Sequence, residues 1–337
     1  GPHAEVNAIE NAGEDVCGAE LFVTLEPCST YGKTPACIDL IKSSGIKKVY
    51  IGVLDPNPSH SGRGVELLKS LGIETESGIM AQECAELIED FVKAQKFSLP
   101  YVTIKAAMSA DGKIALENGD SKWITGDESR RYVHKMRGKS DAVLTGIGTV
   151  LADNPMLNDR RDTAYHQPVR VVLDSLCRLP VTSNLAKTAS EIPVISYVSD
   201  KADTDKINAL KDIGVYIEVA ETNERGINIE YVLRSLYGRG FMNVMVEAGN
   251  RLNGAFFDGK SADRLELFIA PKIIGGERSV SVIGGSGVPS INSCVSFHSY
   301  DINKCGNDIR ISAKLKDYSA SIVNFTYDFI GKQCLRV

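Results

Sequence analysis

His3 and Glu5 stand two residues apart near the start of this 337-residue sequence, and Cys28 and Cys37 follow in the stretch CSTYGKTPAC. One imidazole and two thiolates are donors that zinc prefers, and a zinc with three protein ligands keeps a fourth position for water. Glu5 beside that water would move its protons. On a regular helix a two-residue spacing turns side chains roughly 200° apart. The spacing works if His3 stands at the unwound start of a helix and Glu5 lies in its first turn, a start that Pro2 favours. The thiols would then lie near the N-terminus of a helix beginning at about Pro35, whose dipole favours negative charge. A capped helix start and two buried thiols remain the plain alternative.

Zinc nucleobase deaminases combine a ligating His or Cys, a non-ligating Glu two residues on, then Pro-Cys and a second Cys. Their signature places two residues between the cysteines, whereas this chain has eight. A second chemistry is harder to see. No G-x-G-x-x-G follows a strand, since TGIGTV and GGSGVP do not fit, and by that pattern alone a dinucleotide site would be rejected. Strand-to-helix turns can hold phosphate without it. Two turns qualify, LTGIGTVLAD after a strand at 141–145 and VEAGNRLNGAFF after a strand at 243–247, where Gly249 would let a phosphate approach the backbone. Two ordinary glycine turns are the alternative.

The elements that must position these residues alternate strand with helix. Strands are expected at 19–25, 47–55 and 73–77, with helices from about 35 to 45, at 64–72 and at 80–97. Pro100 then precedes a new strand at 101–109, and the domain boundary is placed there. Further strands are expected at 141–145, 169–174, 192–198, 215–219, 243–247 and 265–270, with helices at 127–137, 203–213, 229–237 and 250–258. CVSFHSYDI and DIRISAKLK suit an antiparallel closing pair. The expectation is an α/β chain with domains at 1–98 and 99–316 and an unassigned tail at 317–337.

Composition is that of a globular protein, 43% hydrophobic and 24% charged, with a net charge of −5 that gives no basic field for nucleic acid or an anionic membrane. No apolar run is long enough for a membrane span and no signal peptide is visible, so the cytoplasm is the default location. Eight cysteines without a secretory signal favour thiols or a metal site over a disulfide framework.

HAEV, VTLEPCSTYGKTPAC, DPNP and GRG resemble the deaminase half of the bifunctional deaminase/reductase of riboflavin biosynthesis, over residues 1 to about 98. VTIKAAMSADGKIA, SKWITG, DAVLTGIGTVLADNPML and VMVEAGNRLNGAFF resemble its reductase half, over about 101 to 316. Two motif sets in the family's order are far more specific than either alone. The resemblance implies a cytidine-deaminase-like zinc domain followed by a dihydrofolate-reductase-like α/β domain. It implies hydrolysis of the 2-amino group of a diaminopyrimidinone ribosyl phosphate, then reduction of the open-chain ribose to ribityl by NADPH.

By the same resemblance His3, Cys28 and Cys37 are the zinc ligands, Glu5 is the proton carrier, and Lys33 contacts the substrate phosphate. Ala107, Trp123, Thr149, Asp153, Ser175 and the run Gly249, Asn250, Arg251, Leu252, Asn253, Gly254 and Ala255 match NADPH positions. Ser121, Arg137, Leu157, Arg160 and Glu247 match substrate positions, and the two arginines suit a phosphate held in two-pronged fashion. Lys105, with Asp111 on the turn beyond it, could hold the sugar or relay a proton to the new hydroxyl. Burial in the core is the alternative for Trp123, and a solvated surface position for the arginines.

Thr30 stands where the family usually has His, and Ala36 where it has a second proline. The family also places a helix and two strands ahead of the His-Ala-Glu motif. The expectation is therefore an N-terminally incomplete deaminase domain, in a homo-oligomeric chain that reduces but deaminates poorly. The other readings are a reductase with a structurally retained zinc domain and a binding module in which neither site turns over.

Overall fold

Short apolar runs separated by glycine turns give this chain its strands, and the helices between them cover the faces. The computed structural model describes residues 2–13, 16–31 and 35–334. They divide into two units, Gly1–Ser98 with Asp317–Val337, and Leu99–Lys316.

The first unit alternates α1 (Ala4–Ala12), β1 (Glu20–Leu25), α2 (Cys37–Ser43), β2 (Lys48–Val53), α3 (Arg63–Ser70), β3 (Glu74–Ser77), α4 (Ala81–Leu87) and α5 (Glu89–Phe97). The strands pair in parallel in the order β1-β2-β3. Val49 and Ile51 of the central strand are fully buried against Ile38, Ile41, Val65 and Leu68 from the helices. Each such side chain stabilises the fold by roughly 1.5–3 kcal/mol relative to exposure. The single helix expected at 80–97 is instead two, broken at Ile88 (φ −118°, ψ 21°). The break turns Leu87 to solvent while Cys84 and Ala85 before it, and Val92 and Ala94 after it, stay buried.

The second unit contains β4 (Tyr101–Ser109), β5 (Lys113–Ala115), α6 (Asp127–Arg137), β6 (Ala142–Gly146), α7 (Ile147–Asp153), β7 (Val169–Leu173), α8 (Asn184–Lys187), β8 (Val194–Val198), α9 (Thr204–Asp212) and β9 (Tyr216–Val219). A small hairpin follows, β10 (Thr222–Asn223) and β11 (Gly226–Ile227), then α10 (Ile229–Gly238), β12 (Asn243–Glu247), α11 (Asn250–Asp258), β13 (Arg264–Ala270), β14 (Val280–Ser281), β15 (Ser299–Cys305) and β16 (Asp308–Lys314). Nine strands form one sheet in the order β15-β16-β13-β4-β12-β6-β7-β8-β9. Neighbours from β13 to β9 run parallel, and β15 and β16 close the sheet antiparallel.

Both faces of the parallel part are buried. Leu144 packs with Val102, Ile104, Val244 and Val246 in one core cluster, and its neighbour Val143 packs with Val172, Met245 and Phe268 in another. Strands covered on both sides read as unbroken apolar runs, which is why they stand out in the sequence. The chain direction across the sheet reverses between β6 and β12. From β6 the chain steps outward to β7, β8 and β9, and from β12 it passes over β4 to β13. Such a switch point leaves a crevice beyond the carboxyl ends of the strands, here where α7 and α11 begin.

Residues 317–337, given no element from the sequence, contain α12 (Ser319–Cys334), which belongs to the first unit. Its Thr326 Oγ1 accepts the backbone N–H of Leu54 (3.2 Å) just after β2. Among the described residues no helix is long and apolar enough to cross a membrane.

Candidate functional site

The zinc-type residues converge. His3 is the extended N-cap of α1 (φ −69°, ψ 162°), and Glu5 lies in the first turn, so the two-residue spacing is accommodated at the unwound helix start. Cys28 is on the loop after β1, and Cys37 opens α2, two residues beyond Pro35. His3 Nδ1 lies 3.2 Å from Cys37 Sγ and 3.5 Å from Cys28 Sγ. The three potential ligand atoms all lie within 4.8 Å of one another. The backbone N–H of Cys37 donates to Cys28 Sγ (3.2 Å). Burial pushes the Cys37 thiol far up, and the adjacent Glu5 carboxylate and Cys28 add to it. A bound divalent cation inverts that balance, because a coordinating thiol loses its proton. Two sulfurs, one imidazole nitrogen and an acid beside them fit a zinc that keeps one position open.

Glu26, which sequence reasoning passed over, holds the neighbouring loops. Its carboxylate is buried and accepts the backbone N–H groups of Asp55 (3.0 Å), Gly62 (2.9 Å), Gly64 (2.7 Å) and Val65 (3.3 Å). Burial raises its pKa and these donors lower it, with burial the larger effect. The approach requires Gly64, where a Cβ would stand 2.5 Å from the Pro27 carbonyl oxygen. An acid directly before Pro-Cys at a strand end was the available signal. Lys33 lies outside the described residues.

The second unit has a cavity of about 1260 Å³ at its switch point. Gly146, Gly148 and Gly249 line it, and a Cβ on Gly148 or Gly249 would meet nothing within 4 Å. The bare backbone there admits a close-lying phosphate group, so the cradle fits a dinucleotide. Of the NADPH candidates, Thr149, Asp153, Ser175, Gly249, Asn250, Arg251, Leu252 and Ala255 line the cavity, together with Ser121.

Asn253 and Gly254 do not line it. Asn253 is buried and its Nδ2 donates to the carbonyls of Ala248 (3.3 Å) and Val282 (3.1 Å). A Cβ on Gly254 would stand 2.3 Å from the Gly284 carbonyl carbon. With 3.6 residues per turn, a helix cannot present every consecutive residue to one side. Ala107 packs against a core cluster. Trp123 is 64% exposed rather than buried in the core, with the Arg130 guanidinium 4.7 Å from its ring centre. Asp111 is engaged in its own turn, where the Ser109 hydroxyl and the N–H groups of Ile274 and Gly275 hold its carboxyl well below the usual range.

A charged cluster stands beside this cavity in sequence but outside its lining. Register pairs Glu247 of β12 with Lys105 of β4. Arg137, the last residue of α6, grips the buried Glu247 carboxylate through Nε (2.6 Å) and Nη2 (3.0 Å), and Lys105 Nζ lies 3.5 Å away. Burial alone would push Glu247 up, yet Arg137 and Lys105 together bring it down to about 2. Arg137 also donates to the Asn158 carbonyl (3.1 Å). The exposed Arg160 sets Nη2 3.2 Å from His134 Nε2. Leu157 is buried at φ +50°, so its side chain serves the core. Sequence reasoning also missed Arg178 and Arg225 on the cavity wall, residues that no motif marks.

A thiol–imidazole metal site on one unit and a switch-point nucleotide cavity with a paired acid on the other define a two-domain deaminase/reductase. The sequence matches the cytidine and deoxycytidylate deaminase zinc-binding region over residues 1–53 and the RibD C-terminal domain over residues 100–311. It is 42% identical over 315 residues to the riboflavin biosynthesis protein RibD of Bacillus amyloliquefaciens, covering 94% of this chain and 84% of the relative. The fold is similar to RibD from Acinetobacter baumannii, with a TM-score of 0.82 and 34% identity over 93% of this chain and 85% of that one. It is also similar to a diaminohydroxyphosphoribosylaminopyrimidine deaminase/5-amino-6-(5-phosphoribosylamino)uracil reductase from Thermotoga maritima, with a TM-score of 0.81, 38% identity and the same coverage. The chain belongs to the RibD family, the bifunctional deaminase/reductases of riboflavin biosynthesis.

Proposed function

We propose that this chain deaminates a diaminopyrimidinone ribosyl phosphate at its first site and reduces the ribose of the product with NADPH at its second. The observation that carries the reading is the convergence of His3, Cys28 and Cys37 beside Glu5 in a chain of this family. Zinc, when bound, supplies a Lewis acid that makes water nucleophilic at neutral pH. Glu5 takes the proton from the attacking water and passes it to the leaving amine, so that water enters and ammonia departs. Lys33 contacts the substrate phosphate in this reading.

At the second site NADPH supplies the hydride. The lining residues Thr149, Asp153, Ser175, Gly249 to Leu252 and Ala255 hold the cofactor, with Ser121 at the same wall and Ala107 and Trp123 near it. Lys105, held beside Glu247, gives a proton to the sugar oxygen as the hydride arrives at carbon. Arg137 fixes Glu247, and Arg160 meets the ribose phosphate, with the backbone of Leu157 beside it. We place the protein in the cytoplasm as a homo-oligomer. Support for self-association comes from Tyr300 and Ile302 on the edge strand β15 and Ile309 on β16, which are exposed on one face.

Paired assays test the function, one following ammonia release from the diamino substrate and one following NADPH oxidation with its deaminated product. Zinc-loaded protein that releases no ammonia would remove the first activity. Unchanged NADPH absorbance with the deaminated product would remove the second. Light scattering after size-exclusion chromatography reads the oligomer.

A further inference from the structure

We infer that His134 is a positioning residue of the second site, one that holds the Arg160 guanidinium where the ribose phosphate docks; the assignment rests on the reading of Arg160 above. His134 lies in the last turn of α6, three residues before Arg137 and on the same face. Arg160 is exposed on the loop after α7. That loop is pinned to the end of α6. The Asn158 carbonyl accepts from Arg137 Nη1 (3.1 Å) and faces His134 Nδ1 (3.0 Å). The buried Asp159 carboxylate takes Arg161 Nη2 (2.7 Å). The Gln167 amide bonds both the N–H (3.0 Å) and the carbonyl (2.8 Å) of Asp159. A Cβ on Gly138, just past the helix, would stand 2.3 Å from Asp159 Oδ2, so helix and loop meet where only glycine fits.

A fixed backbone still leaves a long arginine side chain free to swing. Among the described residues Arg160 has no carboxylate partner, and its Nη2 meets the His134 ring at Nε2 (3.2 Å). A guanidinium has donors only, so Nε2 accepts and the ring proton sits on Nδ1. Nδ1 then donates to the Asn158 carbonyl, the shorter of its two contacts, the other being the Arg160 N–H at 3.2 Å. The neutral ring thus bridges the backbone of the loop and the tip of its arginine. One nitrogen of the fork is used, and the other donors of this exposed side chain are left for a phosphate. Holding the side chain beforehand removes rotamer freedom that binding would otherwise have to freeze. The charged groups facing the ring are Arg137 on its own helix and Arg160 and Asp159 on the loop. Burial, with both arginines adding to it, pushes the imidazole below its ordinary value, against the Asn158 carbonyl and Asp159. The ring is therefore a bare acceptor at neutral pH, and a proton on Nε2 would turn it against Arg160.

The test is steady-state reduction by the full chain, with NADPH and the deaminated product as substrates. His134→Ala should raise KM for that product about tenfold and leave kcat and the KM for NADPH within about twofold. The penalty should vanish with the same substrate lacking its phosphate, a readout that a general loss of structure would not give. His134→Gln, whose amide can donate to the Asn158 carbonyl and accept from Arg160, should restore most of the KM, and it carries the test if the Ala variant fails to fold. From about pH 7 down to about pH 5, KM should rise more steeply for wild type than for the Gln variant. The substrate phosphate titrates alike in both, and only wild type gains the ring proton. An Ala variant with unchanged KM, a penalty that persists without the phosphate, or acid limbs that run parallel would overturn the assignment and leave Arg160 its role. If Arg160→Ala itself leaves KM for the product unchanged, the reading of Arg160 fails, and the assignment with it.

Discussion

Replacing Glu247 with Gln isolates the charge balance at the second site. The wild-type carboxyl is buried, gripped by Arg137 at 2.6 and 3.0 Å, and approached by Lys105 at 3.5 Å. Its partners carry it from an ordinary 4.5 down to about 2 against the opposing effect of burial. At 1.36 kcal/mol for each tenfold, that difference corresponds to roughly 3 kcal/mol of folding stability. The figure agrees with the roughly 3–5 kcal/mol that follows when one partner of a buried pair is removed and the other charge is stranded. For a unit of this size the loss should lower the thermal midpoint by about 6–12 °C. Trp123, the only tryptophan, belongs to the second unit and its fluorescence reports the transition.

The pH dependence gives a second handle. A carboxyl whose folded pKa lies below its unfolded value contributes stability that is complete above the unfolded value and lost as pH falls through the folded one. The gap between wild type and Glu247→Gln should therefore be full at neutral pH and roughly halved by about pH 3. Adding Arg137→Met removes the stranded guanidinium and should recover part of the loss. Equal midpoints at neutral pH, or a gap that stays constant down to about pH 3, would refute the reasoning.

Three further outcomes are expected. Cys28→Ala should lose zinc by metal analysis, while Glu5→Gln should keep the metal and lose ammonia release; zinc retained at wild-type level by the Cys28 variant counts against the ligand set. Glu26→Ala strands four buried N–H groups and should cost the first unit about 3 kcal/mol or more, read as a lower midpoint by circular dichroism. Gly254→Ala forces a Cβ into the Gly284–Gly285 backbone and should cost about 1–3 kcal/mol in the same measurement, whereas a neutral outcome would mean that this loop yields freely.

The sequence makes most of the sheet legible because strands buried on two faces leave no polar alternation to confuse. All five residues of β8 are buried, for example. It does not make α12 legible. That helix buries Ile322 and Thr326 while Phe325 and Tyr327 face solvent, so its covered stripe is partly polar and its exposed side aromatic. The break at Ile88 is hidden because apolar spacing continues through it. At the sites, spacing alone proposed His3, Glu5, Cys28 and Cys37 without excluding buried thiols. The grip of Arg137 on Glu247 joins residues 110 positions apart, and only the pairing of β4, β12 and α6 creates it.

That grip also limits what Arg137 can offer a ligand. An arginine already holding a buried carboxylate through two nitrogens, and a carbonyl through a third, has little left for a substrate. In the proposed function Arg137 therefore suits the task of fixing Glu247 and Lys105 better than that of a phosphate clamp, although its residue type alone fits both. In the proposed function the ribose phosphate falls to a cation with solvent-facing donors, the exposed Arg160. The first site works the other way. Its thiols sit crowded beside an acid, with burial pushing that of Cys37 up, and the positive charge that would order them arrives with the ion. One half of the chain builds its countercharge into the fold, and the other leaves it to the metal.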